Sequence, residues 1–249
     1  PLPYEVIIVE EKEPLGTGGA IANCREHLSG GTFCVINGDL ITSLRVEEML
    51  DFHTSNGGIA TISLWEVEDP SRFGVADYID ETGKIMRFQE KPPIEDAFSN
   101  LINAGTYLLE HDIFDLMPEG AHSIERDVYE KIAASGALNG FPFGGMFVDA
   151  GTPTSFVEAS QACISSHRFS SGSVQDDSWL GPDSHCLGRV SGSSIGPGAT
   201  VAEGCNVRNS VILEGAVIEE NCLLESCLIG KGATISAGTV MSGEIVNHI

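Results

Sequence analysis

Phe33-Cys34-Val35-Ile36-Asn37-Gly38-Asp39 is the stretch that decides the fold. Four apolar residues run into an Asn-Gly turn that ends on a carboxylate. A short apolar run stopped in this way reads as a fully buried strand. Such strands belong to parallel sheets covered by helices on both faces. Ligands of those sheets bind beyond the carboxyl ends of the strands. Gly38 lets backbone approach a ligand there, and Asp39 stands at that end. A second strand, Gly145-Met146-Phe147-Val148-Asp149, also ends on an aspartate, before the turn Ala150-Gly151-Thr152-Pro153. Two strand-end carboxylates from distant parts of one sheet suit a hard cation such as magnesium. The same residues also suit a plainer role, each Asp capping the helix that follows it.

Upstream, Val6 to Val9 reads as a buried strand, followed by Pro14-Leu15-Gly16-Thr17-Gly18-Gly19 and a helix from Ala20 to Leu28. Strand, glycine turn and helix start form an anion or nucleotide cradle when the turn's amides are free. It is neither a Walker loop nor a dinucleotide fingerprint. Downstream, Val46 to Ser55 has helical spacing and stops at Asn56-Gly57-Gly58. His53 reads as a residue of that helix's surface or end. Ile59 to Trp65 alternates as a strand. Phe73 to Ile79 and Lys84 to Pro92 form a hairpin around Asp80-Glu81-Thr82-Gly83.

The far arm of the hairpin ends in Glu90 and Lys91, either an exposed ion pair worth little or a ligand-binding pair. Leu101 to Leu109 is a strand with Asn103, Gly105 and Thr106 at its centre. Polar atoms inside a strand must be hydrogen-bonded, so Asn103 and Thr106 either pair internally or meet a polar ligand. His111 to Leu116 is a short helix. Ser123 caps another, whose buried stripe is Ile124, Val128 and Ile132. Thr154 to Ser165 is a last helix.

The chain has 249 residues, 42% of them hydrophobic, and a net charge of −23. That length holds one large domain or two modest ones. The acidic balance argues against a nucleic-acid or anionic-membrane surface. Seven cysteines without a Cys-x-x-Cys pair read as reduced, buried residues of a cytoplasmic protein. No apolar run reaches the roughly 18 residues of a membrane span.

Beyond residue 173 the pattern changes. Ile195, Val201, Val207, Ile212, Ile218, Leu223, Ile229, Ile235 and Val240 recur at steps of five or six. A hexapeptide period signals a parallel β-helix, expected to be left-handed. The expected organisation is an α/β domain over 1–165 with a Rossmann-like, mostly parallel sheet, a linker over 166–173, and a β-helix over 174–249.

Together these stretches resemble the NDP-sugar pyrophosphorylases, a family of sugar-phosphate nucleotidyltransferases. The carriers are Glu13-Pro14-Leu15-Gly16-Thr17-Gly18-Gly19-Ala20, Asn37-Gly38-Asp39, Phe73-Gly74-Val75, Phe88-Gln89-Glu90-Lys91-Pro92, Asn103-Ala104-Gly105-Thr106-Tyr107, Ser123-Ile124-Glu125 and Asp149-Ala150-Gly151-Thr152-Pro153. Their joint order is specific, and the likeness is strongest to mannose-1-phosphate and heptose-1-phosphate guanylyltransferases. The resemblance implies attack by a sugar 1-phosphate on a nucleoside triphosphate, GTP by overall likeness, with release of pyrophosphate. It implies Mg2+ held by Asp39 and Asp149, with Lys91 as a catalytic cation on the sugar phosphate. It places Glu90 and Asn103 on sugar hydroxyls, with Gly74 and Thr106 lining that pocket, and Gly16 and Gly38 against the nucleotide.

Family members begin with a strand and a glycine-rich loop bearing an arginine, and this chain starts downstream of that pattern. The resulting expectation is a fragment of an active enzyme, impaired as it stands. A non-catalytic regulatory or assembly subunit of the same fold is the alternative. A third reading, a hexapeptide acyltransferase, would use His167, His185 or His248. The β-helix is expected to pack on the catalytic domain or to mediate homo-oligomers.

Overall fold

The computed structural model describes residues 4–28 and 30–247. The chain forms two compact units, Pro1–Gly38 with Ser43–Gly145, and Asp39–Thr42 with Met146–Ile249.

The first unit is built on a six-stranded sheet. Its strands are β1 (Phe33–Ile36), β3 (Ala60–Glu66), β4 (Gly74–Ile79), β5 (Lys84–Glu90), β6 (Leu101–Leu109) and β7 (Leu138–Pro142), in the order β1-β6-β3-β7-β5-β4. β1, β3, β7 and β4 run one way, while β6 and β5 run the other. The strands of common direction are therefore largely interleaved with reversed ones, and only the β3–β7 ladder is parallel. β3 is central, and five successive residues from Ala60 to Leu64 are buried. That explains its run of small and β-branched residues, covered on both faces.

β1 departs from the expected buried strand. Among the described residues its one ladder is antiparallel, to β6. As an edge strand it alternates, with Phe33 and Val35 packed against the core and Cys34 and Ile36 exposed. Phe33 stacks on Phe114 with ring centroids 5.5 Å apart. Residues 5–9 are not a strand either. Val6, Ile7 and Ile8 are exposed, and no strand of the described residues pairs with them. An apolar run is a strand only where another backbone answers its amides and carbonyls.

The glycine-rich segment is helical earlier than expected. Helix α1 spans Gly16–Asn23, and a single 3-10 turn, Arg25–His27, follows. Its glycines lie against residues 120–124. A Cβ on Gly19 would come 2.9 Å from the Gly120 carbonyl oxygen, and one on Gly18 would strike the His122 ring. Helix α2 (Val46–Asn56) ends where Gly57 turns into positive φ and donates its amide to the His53 carbonyl. His53 lies in the last turn of α2, as expected, but does not face solvent. It is 2% exposed, with Nδ1 2.7 Å from Thr61 Oγ1 and Nε2 3.0 Å from Glu110 Oε1. A polar contact for each ring nitrogen is what allows this histidine to be buried.

The core of this unit joins Ile62, Leu64, Ile85, Tyr107, Leu109, Ile124 and Tyr129. Each fully buried aliphatic side chain of that size contributes about 1.5–3 kcal/mol. Helix α3 (Glu130–Ala134) continues a wider turn at Glu125–Tyr129, and its Ile132 and Ala133 complete the core.

In the second unit, β2 (Leu40–Thr42) and β8 (Phe147–Asp149) form a separate two-stranded antiparallel ribbon, with Leu40 opposite Asp149. The two aspartates thus stand at one end of a ribbon, not at the ends of two strands of the large sheet. Neither caps a helix. A strand follows Asp39, and helix α4 (Pro153–Ser165) is capped by Thr152 in a reciprocal box with Ser155. Pro153 at the first helical position costs no hydrogen bond.

The rest is a parallel β-helix of short strands, β10 (Ser178–Leu180) through β22 (Ile245–Val246), with β9 (Ser173–Gln175) added antiparallel to β10. Its interior stacks Leu180, Ile195, Ile212, Ile229 and Val246 on one side. Cys186, Val201, Ile218 and Ile235 stack on the second side. Val190, Val207, Leu224 and Met241 stack on the third. From Ile195 onward equivalent positions, such as Ile195 and Ile212, lie 17 residues apart, so one side of each of these coils is a residue short of a hexapeptide. The inward residues on the third side are accordingly Leu224 and Met241. Leu223 and Val240, expected inside, are outward and exposed. At one corner the hydroxyls of Ser178, Ser193 and Ser210 each accept the next coil's amide, at 3.2, 3.0 and 3.0 Å. That ladder satisfies buried backbone donors.

Among the described residues, no helix is long and apolar enough to cross a membrane.

Candidate active site

The first unit gathers Gly74, Glu90, Lys91, Asn103 and Thr106 at the ends and bulge of adjoining strands. Gly74 lies opposite Glu90 in the β4–β5 ladder. The Glu90 side chain is 13% exposed, and Lys91 Nζ stands 3.6 Å from its Oε1. The lysine is more than half exposed, so the pair is not two surface groups but a sunken carboxylate beside an exposed cation. Lys91 takes positive φ and anchors its amide on the Phe73 carbonyl at 2.9 Å. Burial raises the Glu90 pKa, and the Glu125 carboxylate raises it further, against the opposing pull of Lys91 and Arg126.

On β6, Gly105 has φ +68, and the β3 register slips between Ile62 and Leu64. This bulge turns the polar residues inward. Asn103 pairs internally, donating to the Tyr107 hydroxyl at 3.0 Å and accepting the Gly105 amide at 2.9 Å. The Thr106 amide is held by Ser63 Oγ at 3.2 Å, while its buried hydroxyl meets no partner among the described residues.

Beneath these residues lies a polar cluster that the sequence reading did not assign. Glu125, 7% exposed, accepts hydrogen bonds from Thr17 Oγ1 at 2.5 Å and Ser123 Oγ at 2.6 Å, and Tyr107 OH lies 3.5 Å from its other oxygen. Burial raises the Tyr107 pKa, with Glu125 adding to it. The buried Tyr129 hydroxyl meets no partner among the described residues, its pKa raised by burial and then by Tyr107 and Glu125. A carboxylate flanked by Ile124 and Val128 on a buried turn was the available signal.

Gly16 precedes Thr17 at the start of α1 with φ +72, and a Cβ there would come 2.6 Å from the His122 carbonyl oxygen. The amides of Gly18 and Gly19 donate to that same carbonyl at 3.0 and 3.3 Å. Those two amides are therefore engaged within the protein and do not form the free cradle expected of the turn. Gly38 is exposed, and a Cβ there would meet nothing within 4 Å.

In the second unit the ribbon brings Asp39 and Asp149 to one point. The Asp39 carbonyl accepts the Ala150 amide at 2.8 Å, and Asp149 Oδ1 accepts the Gly151 amide at 2.9 Å. A Cβ on Gly151 would lie 2.9 Å from Asp149 Oδ1 and 3.3 Å from Asp39 Oδ2. Both carboxylates thus border the space kept open by Gly151. Two hard oxygen donors suit a divalent cation that takes its remaining ligands from phosphate and water. Among the described residues, no cluster of three or more His, Cys, Asp and Glu side chains is placed to hold a metal.

Of the histidines considered for acyl transfer, His167 and His185 are exposed, the former just after α4 and the latter on the first coil. His248 lies outside the described residues.

The chain is similar to mannose-1-phosphate guanylyltransferase 1 of Arabidopsis thaliana, 34% identical over 85% of this chain and 60% of the relative. It is also similar to the mannose-1-phosphate guanylyltransferase of Mycobacterium tuberculosis, 33% identical over 86% of this chain and 61% of the relative. The chain thus spans about 60% of the length of these relatives. Among solved structures, HddC from Yersinia pseudotuberculosis complexed with GMP-PN matches with a TM-score of 0.50 at 32% identity, over 60% of this chain and 63% of that one. A GlmU-like C-terminal hexapeptide model matches residues 158–246. The nucleotidyl transferase model matches residues 3–166, and the chain belongs to the nucleotidyl transferase family.

Proposed function

We propose that this chain is a sugar-1-phosphate nucleotidyltransferase that makes an NDP-sugar of the GDP-mannose or GDP-heptose type. A phosphate oxygen of the sugar 1-phosphate attacks the α-phosphorus of the nucleoside triphosphate, GTP in this reading. The bond from that phosphorus to the β-phosphate oxygen breaks, and pyrophosphate leaves. Transfer of this kind depends mainly on positioning and charge neutralisation. The observation that carries the reading is the convergence of Asp39 and Asp149 on the space beside Gly151.

Asp39 and Asp149 would hold Mg2+, which supplies charge neutralisation for the phosphates. Lys91, exposed beside a sunken carboxylate, neutralises the sugar phosphate. Glu90 accepts hydrogen bonds from sugar hydroxyls, and Gly74, without a Cβ, lets that carboxylate and the Phe88 ring lie where they do at the edge of the sugar pocket. The unpaired Thr106 hydroxyl and the remaining capacity of Asn103 line the same pocket. Gly16 and Gly38 let backbone approach the nucleotide. The catalytic region is 1–165, the connector 166–173 and the β-helix 174–249, with the β-helix as the homo-oligomer surface. Seven unpaired cysteines fit a cytoplasmic setting.

Calorimetric titration with GDP-mannose and MgCl2 tests the reading. Saturable binding that disappears with EDTA and in Asp149→Asn supports it. Binding that ignores both treatments contradicts it.

A further inference from the structure

Glu125 is a buried carboxyl group, 7% exposed. A buried carboxylate is tolerated only when its oxygens are met by donors, and bonds to a charged acceptor are the stronger kind. Its donors come from three parts of the unit. Thr17 stands next to Gly16 on α1, Tyr107 stands on β6, and Ser123 precedes Glu125 itself. The Thr17 hydroxyl also accepts the Ile124 amide at 3.1 Å, so the α1 side of the link has two bonds. On the β6 side, the Tyr107 hydroxyl receives Asn103 at 3.0 Å, and Asn103 in turn holds the Gly105 amide of the bulge. A continuous path thus runs from Gly16 through Thr17, Glu125, Tyr107 and Asn103 to the bulge.

We propose that Glu125 is a positioning residue that fixes α1, carrying Gly16, against β6, carrying Asn103 and Thr106. It holds the nucleotide-binding and sugar-binding segments in one geometry. What those segments bind rests on the function proposed above. The link itself does not. Glu125 also faces Glu90, whose other charged neighbours are Lys91, Arg126 and Glu130. Its charge therefore shifts the pH at which Glu90 ionises.

Two measurements separate the link from the ligands. The first is a double-mutant cycle of Thr17→Val and Tyr107→Phe, read by chemical denaturation of the whole chain. Thr17 and Tyr107 meet through Glu125, so the cycle should show coupling of about threefold or more in the unfolding constant. The coupling should vanish when the cycle is repeated on Glu125→Ala, which removes both oxygens. Strict additivity in the parent overturns the link. The second is calorimetric titration with GTP and, separately, mannose 1-phosphate, each with MgCl2. Glu125→Gln should weaken both by roughly tenfold, a coupling of the usual size between sites. Thr17→Val should weaken mainly GTP, and Tyr107→Phe mainly mannose 1-phosphate. The acid limb of mannose 1-phosphate binding should also move to lower pH in Glu125→Gln, because Glu90 loses a like charge. A Glu125→Gln protein that loses stability but keeps both affinities and the same pH limb has a structural glutamate only, and overturns the proposal. A parent chain that binds neither ligand sinks the functional reading, while the cycle still decides the link.

Discussion

Gly74 lies directly opposite Glu90 in the β4–β5 ladder, and a Cβ added to it would come 2.9 Å from Glu90 Oε2 and 2.3 Å from Phe88 Cζ. Both neighbours must move to admit a methyl group. Phe88 is itself packed edge-on against Tyr129, with centroids 5.9 Å apart. Gly74→Ala should therefore cost about 1–3 kcal/mol of stability, as overpacking does. It should also weaken mannose 1-phosphate roughly tenfold by displacing the Glu90 carboxylate, an effect of about 1.4 kcal/mol. Denaturation and calorimetry on the same protein check both. An unchanged affinity would remove Gly74 from the sugar pocket.

Asp39 is exposed and Asp149 half-buried, and neither caps a helix. Asparagine at either position keeps the shape and removes the charge. Stability should change by no more than about 0.5 kcal/mol, as at other surface sites. Mg2+-dependent GTP binding should fall at least about tenfold, comparable to losing a charge-assisted contact. Fluorescence titration with and without EDTA reads this. Equal metal dependence in parent and variant would exclude the pair as the cation site.

Glu90 has a raised pKa in the folded protein, caused first by burial and then by Glu125. For such a group the folded state favours the protonated form. The stabilising contribution is complete below the unfolded pKa and is lost as pH rises through the folded value. Relative to Glu90→Gln, the parent should therefore lose stability as pH rises through that window. Binding runs the opposite way, because the sugar hydroxyls need the carboxylate. Mannose 1-phosphate affinity should fall on acidification earlier than an ordinary glutamate would dictate. Denaturation midpoints and titrations across pH 4 to 8, the range that spans ordinary glutamate titration, check both slopes.

Leu223 and Leu224 are adjacent, yet only Leu224 faces the β-helix interior. Leu224→Ser should cost about 2–5 kcal/mol, through the cavity and a buried hydroxyl. Leu223→Ser should stay within about 0.5 kcal/mol. Similar costs for the two would contradict the register.

The hairpin around Asp80-Glu81-Thr82-Gly83 and the helix ended by Gly57 were legible because their turn chemistry is local. The β-helix was legible from its period. Which leucine of Leu223-Leu224 points inward was not, because the shortened side is set by left-handed turns at Asn209 and Ser226. β1 looked central from its apolar run, but edge position is decided by which strands pair, and its neighbour β6 lies far along the chain. Asp39 and Asp149 were legible as a pair by type, though the ribbon that joins them was not. The burial of His53 and the role of Glu125 were missed for a common reason. A polar residue beside a buried stripe reads as surface until the partners that satisfy it are brought in by other elements.

The most direct test of the central claim is incubation of the chain with GTP, mannose 1-phosphate and MgCl2, with products separated by chromatography. The account predicts slow formation of GDP-mannose and pyrophosphate in equal amounts, stopped by EDTA and by Asp149→Asn. A chain that binds both substrates yet yields neither product, or releases only GDP and phosphate, would contradict it.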